Sequence, residues 1–105
     1  MAVDWEELHY QLRKRSNHNC EWCGKTGSQA HHCLIHRKKG HPELDCLENL
    51  MLACSVCHVE KKLLDTDAVK QWFWLLQVER YGLPRMLAWL DRVNEGLIVP
   101  YRFPD

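Results

Sequence analysis

Trp5, Leu8 and Leu12 recur at the spacing of one helix face, and Asp4 with Glu7 three residues on forms a capping-box-like start. Ser16-Asn17-His18-Asn19 predicts the end of that helix. Cys20-Glu21-Trp22-Cys23-Gly24 then reads as a tight turn, with a glycine suited to a metal knuckle. Gln29 to Ile35 predicts a short strand, and Arg37 to Cys46 a polar loop marked by Gly40 and Pro42. Leu47 to Ala53 carries apolar residues around Asn49, and Cys54 to Leu64 predicts a short helix. Asp65-Thr66-Asp67 offers N-cap chemistry for a helix running to about Tyr81, where Gly82 stops it. Pro84 suits the first turn of a further helix ending near Gly96, and the tail Leu97 to Asp105 should be extended.

The run Trp72-Phe73-Trp74-Leu75-Leu76 cannot all face one side of a helix. Phe73, Leu76 and Tyr81 are expected on the core, with Trp72 or Trp74 on another face. Met86, Leu87, Trp89, Leu90 and Val93 supply a matching apolar set on the next helix. This helical pair is expected to complete a core too small to stand alone. Some aromatic surface would remain for self-association or a protein partner.

Length and composition narrow the class. A chain of 105 residues suits one domain, 1–105, and 46% hydrophobic with 27% charged residues excludes a disordered chain. No stretch approaches the ~20 apolar residues of a membrane span. The opening Met1-Ala2-Val3-Asp4-Trp5-Glu6-Glu7 has acid where a signal peptide would want base. The expected setting is therefore soluble and cytoplasmic, with no membrane partner.

That setting decides how the six cysteines read, because a reducing compartment disfavours disulfides. Cys20/Cys23 and Cys54/Cys57 form two C-x2-C pairs about thirty residues apart, which suits one tetrahedral structural zinc. The first pair comes from a turn and the second from a helix N-terminus, whose positive end favours thiolate. Cys33 and Cys46 read as small buried residues.

Net charge is zero with histidine neutral, which argues against a strongly basic nucleic-acid binder. The distribution says more. All seven histidines lie before residue 59, together with Arg13-Lys14-Arg15 and Arg37-Lys38-Lys39. A local basic patch beside a metal can grip phosphates without a large net charge.

Between the cysteine pairs stand C-E-W-C at 20–23, A-H-H at 30–32 and E-N-L-M-L-A-C-S-V-C-H at 48–58. The His-His pair, followed by N-x8-H and interleaved with two C-x2-C pairs, resembles the HNH endonuclease family in its zinc-finger-containing form. The resemblance covers roughly Asn19 to Lys62 and is silent on the C-terminal helices. It implies a ββα-metal core in a treble-clef-like zinc frame at about 19–64, which, with the N-terminal helix and the helical extension at 65–105 read from the pattern above, makes an α+β fold. The implied activity is hydrolysis of DNA phosphodiesters, double-stranded DNA being the substrate, in a bacterial or phage setting. The reaction needs an activated water, a cation and fixed geometry.

Carried onto this sequence, the resemblance makes His32 the general base. It makes His31 and His58 ligands of a catalytic divalent ion, and gives Asn49 the task of holding the loop and orienting the His32 imidazole. The expected products are a 5′-phosphate and a 3′-hydroxyl. Colicin-type members carry a further histidine ligand one helical turn after the position of His58, where this chain has Lys62. Two protein ligands favour a weakly held Mg2+ or Mn2+ over tightly held zinc.

His36 would share a face with His32 in an extended strand, and could support the site or replace His31; a solvated loop position is the other reading. Arg37, Lys38, Lys39, Lys61 and Lys62 are the expected phosphate contacts. The alternative from another class is a non-catalytic zinc module that binds nucleic acid or protein.

Overall fold

The computed structural model describes residues 3–103; residues 1 and 2 of the acidic opening, and 104 and 105 of the tail, lie outside them. Helix α1 spans Trp5–Ser16, and its N-cap Asp4 accepts a hydrogen bond from the Glu7 backbone N–H at 3.1 Å. Glu7 does not complete the box, because its carboxylate accepts from the Gln11 side chain at 2.8 Å instead. Asn17 ends the helix in the left-handed region, φ 54°, and its neighbour His18 N–H reaches back to Arg13 O at 2.8 Å.

Two strands, β1 (Gln29–His32) and β2 (Leu50–Ala53), pair antiparallel, with His32 opposite Leu50 and His31 opposite Met51. Alternation along the strands then sorts the core into two layers. Leu50 and Leu52 pack with Leu12 of α1 on one face, joined by Trp5, Leu8 and Ala30. Met51 and Ala53 belong to the larger cluster on the other face, with Phe73, Trp74, Met86 and Trp89. The result is a small α+β fold with its two-stranded sheet held between helices.

Helices α2 (Asp67–Tyr81) and α3 (Leu83–Asn94) follow the predicted spans closely. Thr66 is the N-cap of α2, its Oγ1 accepting from Val69 N–H at 3.2 Å, and Gly82 separates the helices at φ 89°. Phe73 and Trp74 are both fully buried, although they point to different sides of α2. The tail makes this possible. Asn94 exchanges two hydrogen bonds with the Tyr101 backbone, 2.8 and 2.9 Å, turning the chain back so that Phe103 stacks on Trp74 at 4.9 Å. Trp72 is the exposed member and meets Trp22 edge-on at 5.0 Å. Leu87, expected in the α3 core set, is exposed on the helix's outer side.

Two predicted elements are shorter than expected. The strand stops at His32 rather than Ile35. The helix expected over 54–64 is one wide turn at Val56–Glu60, and Lys62 already has a left-handed backbone, φ 49°. Among the described residues, no helix is long and apolar enough to cross a membrane.

Candidate functional site

Four cysteines converge first. The Cys20–Cys23 turn is the tip of a hairpin loop closed by the Asn19–Thr26 bridge and by Gly24 N–H on Cys20 O, 2.9 Å, with Gly24 at φ 82°. Gly27 lets this loop press on β2, since a Cβ there would sit 2.9 Å from both Cys20 N and Leu52 Cγ. The second pair starts where β2 ends: Cys54 leads into the wide turn and Cys57 N–H points at its sulfur, 3.5 Å away.

The four sulfurs lie within 4.8 Å of one another, with Cys23 and Cys54 at 3.6 Å. Sulfurs held tetrahedrally at about 2.3 Å from zinc stand about 3.8 Å apart, whereas a disulfide needs about 2.0 Å. The cluster is therefore positioned to bind a metal ion such as zinc. The Cys57 backbone N–H lowers the Cys54 thiol pKa, so the favouring of thiolate comes from one amide rather than from a long helix. Burial, with the neighbouring sulfurs, raises that of Cys57. Burial also pushes Cys33 and Cys46 up to about 12, which fits inert thiols.

Next to this cluster lies a cleft of about 440 Å³ lined by Trp5, His31, His32, His36, Arg37, His58 and Asp65, among others. His31 and His32 enter it from opposite faces of β1, as neighbours on a strand must. On the Met51 side, His31 meets His58 with ring centres 4.6 Å apart. His58 Nδ1 donates to Gln29 Oε1 at 2.8 Å, which leaves Nε2 with the free lone pair. His31 is 5% exposed, and its Nε2 has no hydrogen-bond partner among the described residues. Burial, then the His58 imidazole, lowers the His31 pKa to about 4, so the ring is neutral near pH 7.

On the α1 side, His32 packs edge-on against Trp5 at 6.0 Å, and its Nε2 lies 2.7 Å from Asp45 Oδ1. A carboxylate accepts only, so Nε2 carries the proton and Nδ1 is left as the basic atom. Asp45 was not singled out from sequence. The available signal was general: a histidine working through one nitrogen needs an acceptor on the other, and the loop before Asn49 holds Glu43, Asp45 and Glu48.

Asn49 performs one of its two expected tasks. It is fully buried; Oδ1 accepts from Leu34 and Ile35 N–H at 3.1 and 2.9 Å, while Nδ2 donates to Ile35 O and Leu44 O, both at 2.9 Å. All four bonds go to the loop backbone and none to His32, whose ring meets Asp45 instead. The same bonds explain why β1 ends early, because the amide replaces the ladder beyond Cys33. Asn49→Ala should cost at least about 4 kcal/mol in urea unfolding, since it leaves four buried backbone groups unpaired at about 1–3 kcal/mol each.

His36 is exposed at the rim of the cleft, after the strand has ended. Arg37 lines the cleft, and Lys38 and Lys39 line an adjoining groove with Trp5 and Asp45. Lys61 and Lys62 are exposed beyond the wide turn and do not line the cleft.

No family model and no solved structure matches the chain. The Zorya protein ZorE of Escherichia coli is 33% identical to it over 69 residues. That stretch is 65% of this chain and 19% of ZorE, so the chain spans about a fifth of the relative's length.

Proposed function

We propose that the chain is an HNH-type, divalent-metal-dependent endonuclease or nickase of DNA. The observation that carries this reading is the shared cleft, where His31 Nε2 is buried without a partner beside His58 while His32 is held through Nε2 by Asp45. The sulfur cluster would hold a structural zinc in a treble-clef-like frame, and the imidazoles of His31 and His58 suit a second, catalytic ion. When bound, such an ion neutralises charge on the phosphate and on the leaving 3′ oxygen.

His32 Nδ1 would take a proton from a water that attacks phosphorus, with Asp45 stabilising the imidazolium. The P–O3′ bond breaks, leaving a 5′-phosphate, and the 3′ oxygen acquires a proton. Arg37, Lys38 and Lys39 border the cleft and its groove, where they would pair with backbone phosphates. Lys61 and Lys62 would contribute only to a longer duplex. The likeness to a bacterial protein, Zorya protein ZorE, sits with the bacterial or phage setting that the HNH resemblance implies.

The test is plasmid nicking by the zinc-loaded chain, with and without Mg2+ or Mn2+. Metal-dependent conversion of supercoiled to open-circular DNA supports the reading. A folded protein that leaves plasmid intact with every ion would make it a non-catalytic zinc module.

A further inference from the structure

Position 62 cannot supply the further ligand that the His58 helix carries in colicin-type members, because the turn ends at Glu60 and Lys62 turns away with a left-handed backbone. The chain instead returns to the cleft three residues later. Asp65 Oδ1 comes within 3.8 Å of His31 Nε2. We propose that Asp65 is the third protein ligand of the histidine-held ion, so that the site is two imidazoles and one carboxylate. This rests on the proposed role of His31 and His58 and adds a residue to it.

Three observations favour a ligand over a salt bridge or a helix cap. His31 Nε2 is buried with no hydrogen-bond partner among the described residues, and at 3.8 Å from Asp65 Oδ1 the pair is too far apart for a hydrogen bond. Donor atoms each about 2.1 Å from a common ion stand about 3.0–3.4 Å apart, so the 3.8 Å between His31 Nε2 and Asp65 Oδ1 is only a little wider than a shared ion needs. The cap of α2 is made by Thr66, and the Asp65 carboxylate, half exposed at the cleft, accepts no hydrogen bond among the described residues. On one side of the gap is a buried ring nitrogen with no hydrogen-bond partner among the described residues; on the other is a carboxylate with none.

The donor set also selects the ion. Mg2+ prefers oxygen ligands and retained water, whereas two imidazoles with a carboxylate suit transition metals. Affinity should therefore rise from Mg2+ through Mn2+ to Co2+, with Mg2+ weakest. The carboxylate would also offset part of the ion's charge inside a cleft already flanked by Arg37.

Calorimetric titration of Mn2+ into the full chain, its cysteine site preloaded with zinc, tests this without reference to cutting. Wild type should bind one Mn2+ and show paramagnetic broadening of the His31 and His58 imidazole resonances. Asp65→Asn should weaken that binding at least tenfold while keeping zinc and helical content, and Asp65→Glu, which retains the carboxylate, should recover most of it. Wild-type affinity in Asp65→Asn overturns the Asp65 assignment and leaves the histidine pair standing. No Mn2+ binding by wild type overturns both.

Discussion

His32→Ala is expected to lower the rate of plasmid nicking by about 10²–10⁴-fold, the range that a positioned general base contributes. Zinc content and unfolding midpoint should stay near wild type. His32 stands at the end of β1, where its backbone remains paired with Leu50 whatever the side chain. Its ring meets the α1 layer at Trp5, 6.0 Å between centres. Asp45 should then separate positioning from chemistry. Asp45→Asn keeps the shape of the acceptor but removes its charge, so kcat should fall by about 10–100-fold with KM little changed. If His32→Ala cuts at the wild-type rate, the base lies elsewhere and the tautomer set by Asp45 has no catalytic meaning.

The difference between Asp45 and the residues found from sequence is physical. The cysteine pairs, the His-His dipeptide and Asn49-x8-His58 are local spacings, and short spacings translate directly into turns and strand ends. Asp45 reaches His32 across a loop whose path is set by the four hydrogen bonds of Asn49, which no pattern of polar and apolar residues announces. Asp65 was visible only as N-cap chemistry for α2, and Thr66 took that role. Helix boundaries were legible wherever caps and glycines marked them, as at Asp4, Asn17, Thr66 and Gly82. They were not legible at 54–64, because the chain past Cys54 winds into a wide turn and a left-handed residue ends it early. The burial of both Phe73 and Trp74 likewise depended on the tail returning through Asn94, a contact made by side-chain hydrogen bonding rather than periodicity.

A buried ion-pair hub shows how the knuckle is tied to the rest. Glu21, between the first two cysteines, accepts from Arg15 at 2.7 Å and from Leu52 N–H at 2.8 Å, and lies 2.9 Å from Arg80. One carboxylate thus links the Cys20–Cys23 loop to α1, β2 and α2. The knuckle is part of the core rather than an appendage.

Losing the sulfur-held ion should consequently unfold the protein. Cys54→Ser is expected to abolish stoichiometric zinc and the cooperative unfolding transition at 25 °C, and a strong chelator should do the same to wild type. Cys20, Cys54 and Cys57 sit in the same buried cluster as Met51, Phe73, Trp74 and Met86. Without a cation, the four sulfurs would meet within 4.8 Å with nothing to tie the two chain segments together, since burial and the neighbouring sulfurs keep Cys57 a neutral thiol. Structural zinc in small modules is worth about 10–16 kcal/mol, comparable to or larger than the about 5–15 kcal/mol net stability of an ordinary domain. Circular dichroism and tryptophan fluorescence, read beside zinc content, would follow the loss. Cys46→Ala is the matched control: it removes a half-buried thiol that is not one of the four converging sulfurs and should keep both zinc and a cooperative transition. A Cys54→Ser protein that unfolds like wild type would mean that packing alone holds this core, and that the four sulfurs meet without a structural ion to organise them.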